Sequence, residues 1–109
     1  MTKYILVYVT VSSAEEAEKI ATALVDLRLV ACANIVPNIR SIFWWKKAIE
    51  TEQEMLVMFK SRASLFPPIV QAVKSLHSYE VPEIIAMPIV LGSEEYLAWI
   101  SSETHTFSA

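Results

Sequence analysis

The hydrophobic pattern predicts an α+β sandwich with the order β-α-β-β-α-β and a further helix at the C-terminal end. Three observations carry this. Strand-like and helix-like apolar periods alternate along the chain. The two strand segments either side of Lys46-Lys47-Ala48 are unusually long against a typical strand of about five or six residues. Both strand-interrupting prolines, Pro37 and Pro88, fall on segments that a split βαβ sheet places at its edges. With 109 residues, 54% of them hydrophobic and 19% charged, the chain has the material for one globular domain, residues 1–109.

Taken in order, Tyr4 to Val11 is continuously apolar or β-favouring, as expected of a central strand covered on both faces. Ser13 and Glu16 have capping-box spacing, and Ala17, Ile20, Ala21, Leu24 and Leu27 recur at helical spacing, which predicts a helix over 14–28. Ala31 to Val36 returns to strand, Pro37-Asn38 marks a bulge or turn, and Ile39 to Trp45 continues. After the short turn, Ile49 to Arg62 forms the second arm of a long hairpin. Ser64 is placed to cap the next helix, with Pro67-Pro68 in its first turn and Leu65, Ile69, Val73 and Leu76 facing the core. Ile84 to Val90 reads as the last strand. Gly92-Ser93 starts a final helix carrying Tyr96, Leu97, Trp99 and Ile100, and 103–109 reads as an accessory tail.

In this ferredoxin-like arrangement the first and third strands are central. The hairpin arms should project beyond the two covering helices. Phe43-Trp44-Trp45 would then put large rings on both faces of the projection, because side chains alternate along a strand. Such an edge needs a partner chain, so a homo-oligomer whose hairpins cross subunit boundaries is expected, with Phe43, Trp44, Trp45 and Trp99 at the interface.

A net charge of -3 and the absence of any Lys/Arg block argue against nucleic acid or an anionic membrane as the partner. Cys32 is the sole cysteine, so no intrachain disulfide can form and a reducing, cytoplasmic setting is expected. The apolar run at the N-terminal end is too short to span a bilayer. With one glycine there is no phosphate-cradling loop, and no nucleophile–base spacing marks an enzyme. No organic cofactor is implied.

Chemistry concentrates in His77-Ser78-Tyr79-Glu80-Val81-Pro82-Glu83, where an imidazole, a phenol and two carboxylates precede the last strand. His77 either ligates a metal, with Glu80 nearby, or caps the helix before it, with Glu80 fixing the turn before Pro82. Cys32 is either a soft thiolate ligand or a small buried hydrophobe. Lys60, Tyr79 and Glu80, with Glu54 earlier on the strand that bears Lys60, are candidates for a cleft between subunits that holds a small anion or metabolite. An ion-pair network at the interface is the alternative. Glu50, Glu52 and Glu54 alternate along one strand, which reads as a solvated face rather than a hard-cation cage.

Several motifs in consistent order resemble the CutA1 family, the divalent-cation tolerance proteins. They are Leu29-Val30-Ala31-Cys32-Ala33-Asn34-Ile35-Val36-Pro37; Trp45 with Ile49 and Glu54; Lys60-Ser61-Arg62; the segment from His77 to Glu83; and Tyr96-Leu97-Ala98-Trp99. The resemblance implies a homotrimer similar to that of the PII signalling proteins, with hairpins pairing between subunits. It also implies a role in tolerance to divalent metals, copper especially; with the residues present here, a non-catalytic protein that binds metal weakly or between subunits is expected. The family's copper-ligand positions correspond to Val9, Leu76 and His77, of which only His77 can ligate. Where the family has glycines, this chain has Asn38, which suits a left-handed conformation, and Lys47, so a rearranged hairpin tip is expected.

Overall fold

A computed structural model describes residues 3–105. Its elements are β1 (Tyr4–Val11), α1 (Ala14–Asp26), β2 (Cys32–Trp45), β3 (Ala48–Arg62), a 3-10 turn over Ala63–Leu65, α2 (Phe66–Leu76), β4 (Ile84–Pro88) and α3 (Glu94–Ser102). The strands form one antiparallel sheet in the order β2-β3-β1-β4, so β1 and β3 are central and the proline-bearing β2 and β4 are edges. That is the split βαβ order expected from the sequence.

The core lies between the sheet and the helices α1 and α2. Val7, Val9, Val11, Val57 and Phe59 come from alternate positions of β1 and β3. They meet Ala17, Ile20 and Leu24 of α1 and Ile69 and Val73 of α2, and all are fully buried. Burial along β1 alternates, with Tyr4, Leu6 and Tyr8 only half-buried. A single chain therefore covers one face of β1 completely and the other in part, not both faces as its apolar run suggested.

Helix α1 begins as its sequence dictates, with the Ser13 hydroxyl accepting the Glu16 N–H at 3.1 Å. It ends earlier than 28. The Leu29 N–H reaches the Leu24 carbonyl and the Arg28 N–H the Val25 carbonyl, a Schellman ending with Arg28 at φ 59 where glycine is usual. Leu27 is consequently left 55% exposed, although its spacing assigned it to the buried stripe. At α2, Ser64 does not cap. The 3-10 turn runs through it, and Pro67 and Pro68 remove two of the N–H groups that a cap would satisfy.

The hairpin has arms of 14 and 15 residues, and the described chain measures 43 Å along its long axis against 26 and 24 Å across. Only Met55 to Arg62 of β3 pairs with β1, so the outer arm, 48–54, pairs with β2 alone. A bulge between Val36 and Ile39 holds Pro37 and Asn38, with Asn38 at φ 61. The tip is not rearranged: Lys46 and Lys47 take φ 48 and 69, the two left-handed residues of a two-residue hairpin turn, despite their side chains. β4 stops at Pro88, short of Val90, because proline has no N–H to continue the ladder; one further bond, Ile89 N–H to the Tyr4 carbonyl, follows it.

The start of the C-terminal tail is docked. Thr104 is 6% exposed, its hydroxyl accepts from Arg62 Nε at 2.8 Å, and the Arg62 guanidinium also reaches the His105 carbonyl. Arg28 pairs with Glu103 and accepts the His105 N–H on its carbonyl. Residues 106–109 of that predicted tail lie outside the described residues.

Candidate functional site

His77 is the C-cap of α2, where the backbone turns from helix to extended (φ -84, ψ 140) while its N–H still closes on the Val73 carbonyl. That turn swings the imidazole inward, and the side chain is fully buried. Nε2 lies 2.7 Å from the Thr10 carbonyl at the end of β1, and Nδ1 lies 3.1 Å from the Tyr79 N–H. A carbonyl only accepts, so Nε2 carries the proton and Nδ1 accepts from Tyr79. Both ring nitrogens are therefore spent within the fold, which favours the capping role over ligation.

Glu16 stands 3.3 Å from His77 Nδ1, and its carboxylate accepts the Ser78 N–H at 2.7 Å and the Ser78 hydroxyl at 2.9 Å. Desolvation pushes the Glu16 carboxyl up. The Ser78 N–H and hydroxyl, the electrostatic influence of His77 and the Ser12 hydroxyl outweigh it, and the net shift is downward. So α1, α2 and β1 together pin the start of the 77–83 segment.

The pinned segment delivers Tyr79 to β3. Its hydroxyl donates to Glu54 Oε2 at 2.6 Å, and Glu54 is only 6% exposed. Burial, the Glu54 hydrogen bond and the charges of Glu54, Glu52 and Glu16 all push the phenol well above its usual range, so it stays protonated and donates. Beyond it opens a cleft of about 840 Å³ between the outer hairpin arm and the 78–83 loop, with Thr10 and Ser12 at its base. Its walls carry Phe43, Trp45, Glu50, Glu52, Glu54, Tyr79, Glu80 and Glu83. Glu80 at the mouth pairs with the tip residue Lys46 at 3.8 Å, with both side chains largely exposed.

The structure thus brings together Glu54, Tyr79 and Glu80 of the residues assigned to a cleft. Lys60 stands apart from it in the single chain. Its ammonium donates to Asn34 Oδ1, and its register partner across the hairpin is Cys32, whose thiol is 3.7 Å from the same oxygen. Cys32 is half-buried at the start of an edge strand and separate from His77 and Glu80. Among the described residues no three of His, Cys, Asp and Glu gather in a way that could hold a metal ion. At the two further copper-ligand positions, Val9 is fully buried in the core and Leu76 packs against it. Of the expected interface residues, Trp44 is 71% exposed and Phe43, Trp45 and Trp99 are each about 40% exposed.

Sequence reasoning did not foresee Glu16 and Thr10 in this site. Ser13-x-x-Glu16 reads as a capping box, but only the Ser13 half forms, because the carboxylate is taken by Ser78, 62 residues away. The Thr10 contribution is a backbone carbonyl, which no side-chain pattern reveals.

Fold and cleft define a small α+β protein, a four-stranded antiparallel sheet with three helices and an acidic, aromatic cleft under a projecting hairpin. The chain belongs to the CutA1 divalent ion tolerance protein family, whose model matches residues 5–103. A divalent-cation tolerance protein CutA of Thermus thermophilus is 46% identical over 99 residues, 91% of this chain and 96% of that protein. The chloroplastic CutA of Arabidopsis thaliana and human CutA are each 43% identical over 92% and 93% of this chain. The chain spans only 55% and 56% of those two longer relatives. The solved Thermus thermophilus structure superposes with a TM-score of 0.92 at 45% identity, covering 94% of this chain and 99% of that one. CutA1 from Oryza sativa also gives 0.92, at 40% identity with 95% of each chain covered.

Proposed function

We propose that this chain assembles as a homotrimer that takes part in the response to divalent metals, copper among them, without catalysing a reaction. Family membership over nearly the whole chain carries the metal half of this reading, since the matching model and the Thermus thermophilus relative are both described by divalent-ion tolerance. The outer hairpin supports assembly. It is a two-stranded ribbon with Ile42, Trp44 and Ile49 exposed at 61–71%, and such a ribbon is marginal in water without a partner.

Metal is held weakly by oxygen ligands at the cleft mouth, Glu80 foremost, completed by groups of a neighbouring subunit. His77 sets the loop rather than ligating, and Cys32, as a lone thiol, suits a reducing compartment such as the cytoplasm. Calorimetry with Cu²⁺ and Zn²⁺ on the wild type, Glu80→Gln and His77→Gln tests this. The expected result is weak binding that Glu80→Gln reduces. Identical isotherms for the wild type and Glu80→Gln would remove the cleft mouth from the metal site.

A second reading, a PII-like sensor of a small molecule, is favoured by the cleft itself. Its volume of about 840 Å³ lies in the range of small-ligand pockets.

A further inference from the structure

The cleft has a consistent chemistry. In the register of the hairpin, Ser41, Phe43 and Trp45 of β2 lie opposite Glu52, Glu50 and Ala48 of β3, so rings and carboxylates share one face. Glu50 and Glu52 are two residues apart on a strand, which spaces their carboxylates by about 7 Å. Across the gap stand Glu80 and Glu83. No basic side chain lines the cleft, and among the described residues Glu50, Glu52 and Glu83 have no ion-pair partner. Five carboxylates facing two aromatic rings make a negative, partly apolar trough, which attracts cations and disfavours anions.

The protein's own Lys46 shows what fits. Its ammonium sits 5.5 Å from the centre of the Trp45 ring and 3.8 Å from Glu80 Oε2, at the mouth of the trough. An ammonium between a ring face and a carboxylate is the unit of alkylammonium recognition. The deeper Glu50 and Glu52, beside Phe43, offer the same unit with no ammonium of the chain in it.

We propose that the cleft binds an aliphatic polyamine. Two ammonium groups lie along the Glu50–Glu52 edge, a third meets Glu80 in place of Lys46, and the methylene spacers lie on Phe43 and Trp45. This rests on the reading of the cleft as a small-molecule site and names its ligand class. It is independent of metal binding, and a lysine-bearing hairpin tip of a second copy is the competing occupant.

The test is calorimetry of the assembled protein with spermidine and 1,4-diaminobutane, in EDTA at fixed ionic strength, alongside a thermal-shift series with spermidine, ATP and succinate. The expected result is saturable spermidine binding, tighter than 1,4-diaminobutane. Binding should weaken at least fivefold in Glu52→Gln and in Trp45→Leu, and tighten when Lys46→Ala vacates the mouth. Both Glu52→Gln and Lys46→Ala change exposed residues and should leave the assembly intact. Equal spermidine affinity in the wild type and Glu52→Gln would overturn the assignment, as would heats that do not saturate. A shift with ATP or succinate but none with spermidine would keep the cleft as a ligand site and overturn the polyamine. No shift with any of them would overturn both, leaving the cleft to a second copy of the chain.

Discussion

At the scale of single residues, the 77–83 segment works as a chain of mutual positioning. His77 reaches the Thr10 carbonyl and accepts from the Tyr79 backbone, and Tyr79 in turn donates to a buried Glu54. Removing the phenol hydroxyl leaves a carboxylate desolvated without its donor. Tyr79→Phe should therefore cost about 1–3 kcal/mol in urea unfolding, and much of that should vanish in a Glu54→Leu background; a full cost there would mean the pair is not coupled. Glu16 makes a pH prediction. Its folded pKa is depressed, so its stabilisation is fully present above the unfolded carboxylate value and is lost as pH falls through the folded one. The wild-type urea midpoint should drop more steeply than that of Glu16→Gln on acidification below about pH 4.5, and parallel profiles would contradict the assignment. The residue types in this segment announced chemistry in the sequence, but their partners did not. Thr10 contributes main chain, and Glu16 and Glu54 lie 62 and 25 residues from Ser78 and Tyr79, so only the fold brings them in.

At the scale of elements, local rules succeeded where one interaction dominates and failed where two compete. The split βαβ order, the Pro37 bulge, the edge positions of both prolines and the Ser93 cap of α3, whose hydroxyl accepts the Tyr96 N–H, all follow from periodicity and capping chemistry. Ser64 failed as a cap because the prolines after it remove the donors. Leu27 failed as a core residue because the helix had already closed on Arg28. The hairpin tip is the sharpest conflict. Strand twist demands two left-handed residues, and the sequence supplies Lys46 and Lys47. Lys46→Asn with Lys47→Gly should therefore stabilise the protein by about 1–2 kcal/mol, read as a higher Tm; an unchanged or lower Tm would show that the lysines have a compensating contact. The docking of Thr104 by Arg62 makes a further element-scale prediction: Arg62→Ala should expose the chain after Ser102 to proteolysis at unchanged secondary structure.

For the whole molecule, the decisive feature is apolar surface that one chain does not cover. Ile42, Trp44 and Ile49 on the ribbon, the half-buried alternate residues of β1, and Tyr96 with Trp99 on α3 are large side chains left accessible in the described chain. The three consecutive aromatics foretold where much of this surface would be. They do not set the number of subunits; the proposed trimer rests on the family resemblance. Both the metal and polyamine readings place their site against the hairpin, so both depend on how it is held. Trp44→Lys should break the assembly without unfolding the sandwich, because Trp44 is 71% exposed and outside the core. The most direct test of assembly is sedimentation equilibrium on the wild-type chain at micromolar concentration. A single species of three chains of 12.3 kDa each is expected, and a stable monomer with native secondary structure would contradict assembly through the hairpin.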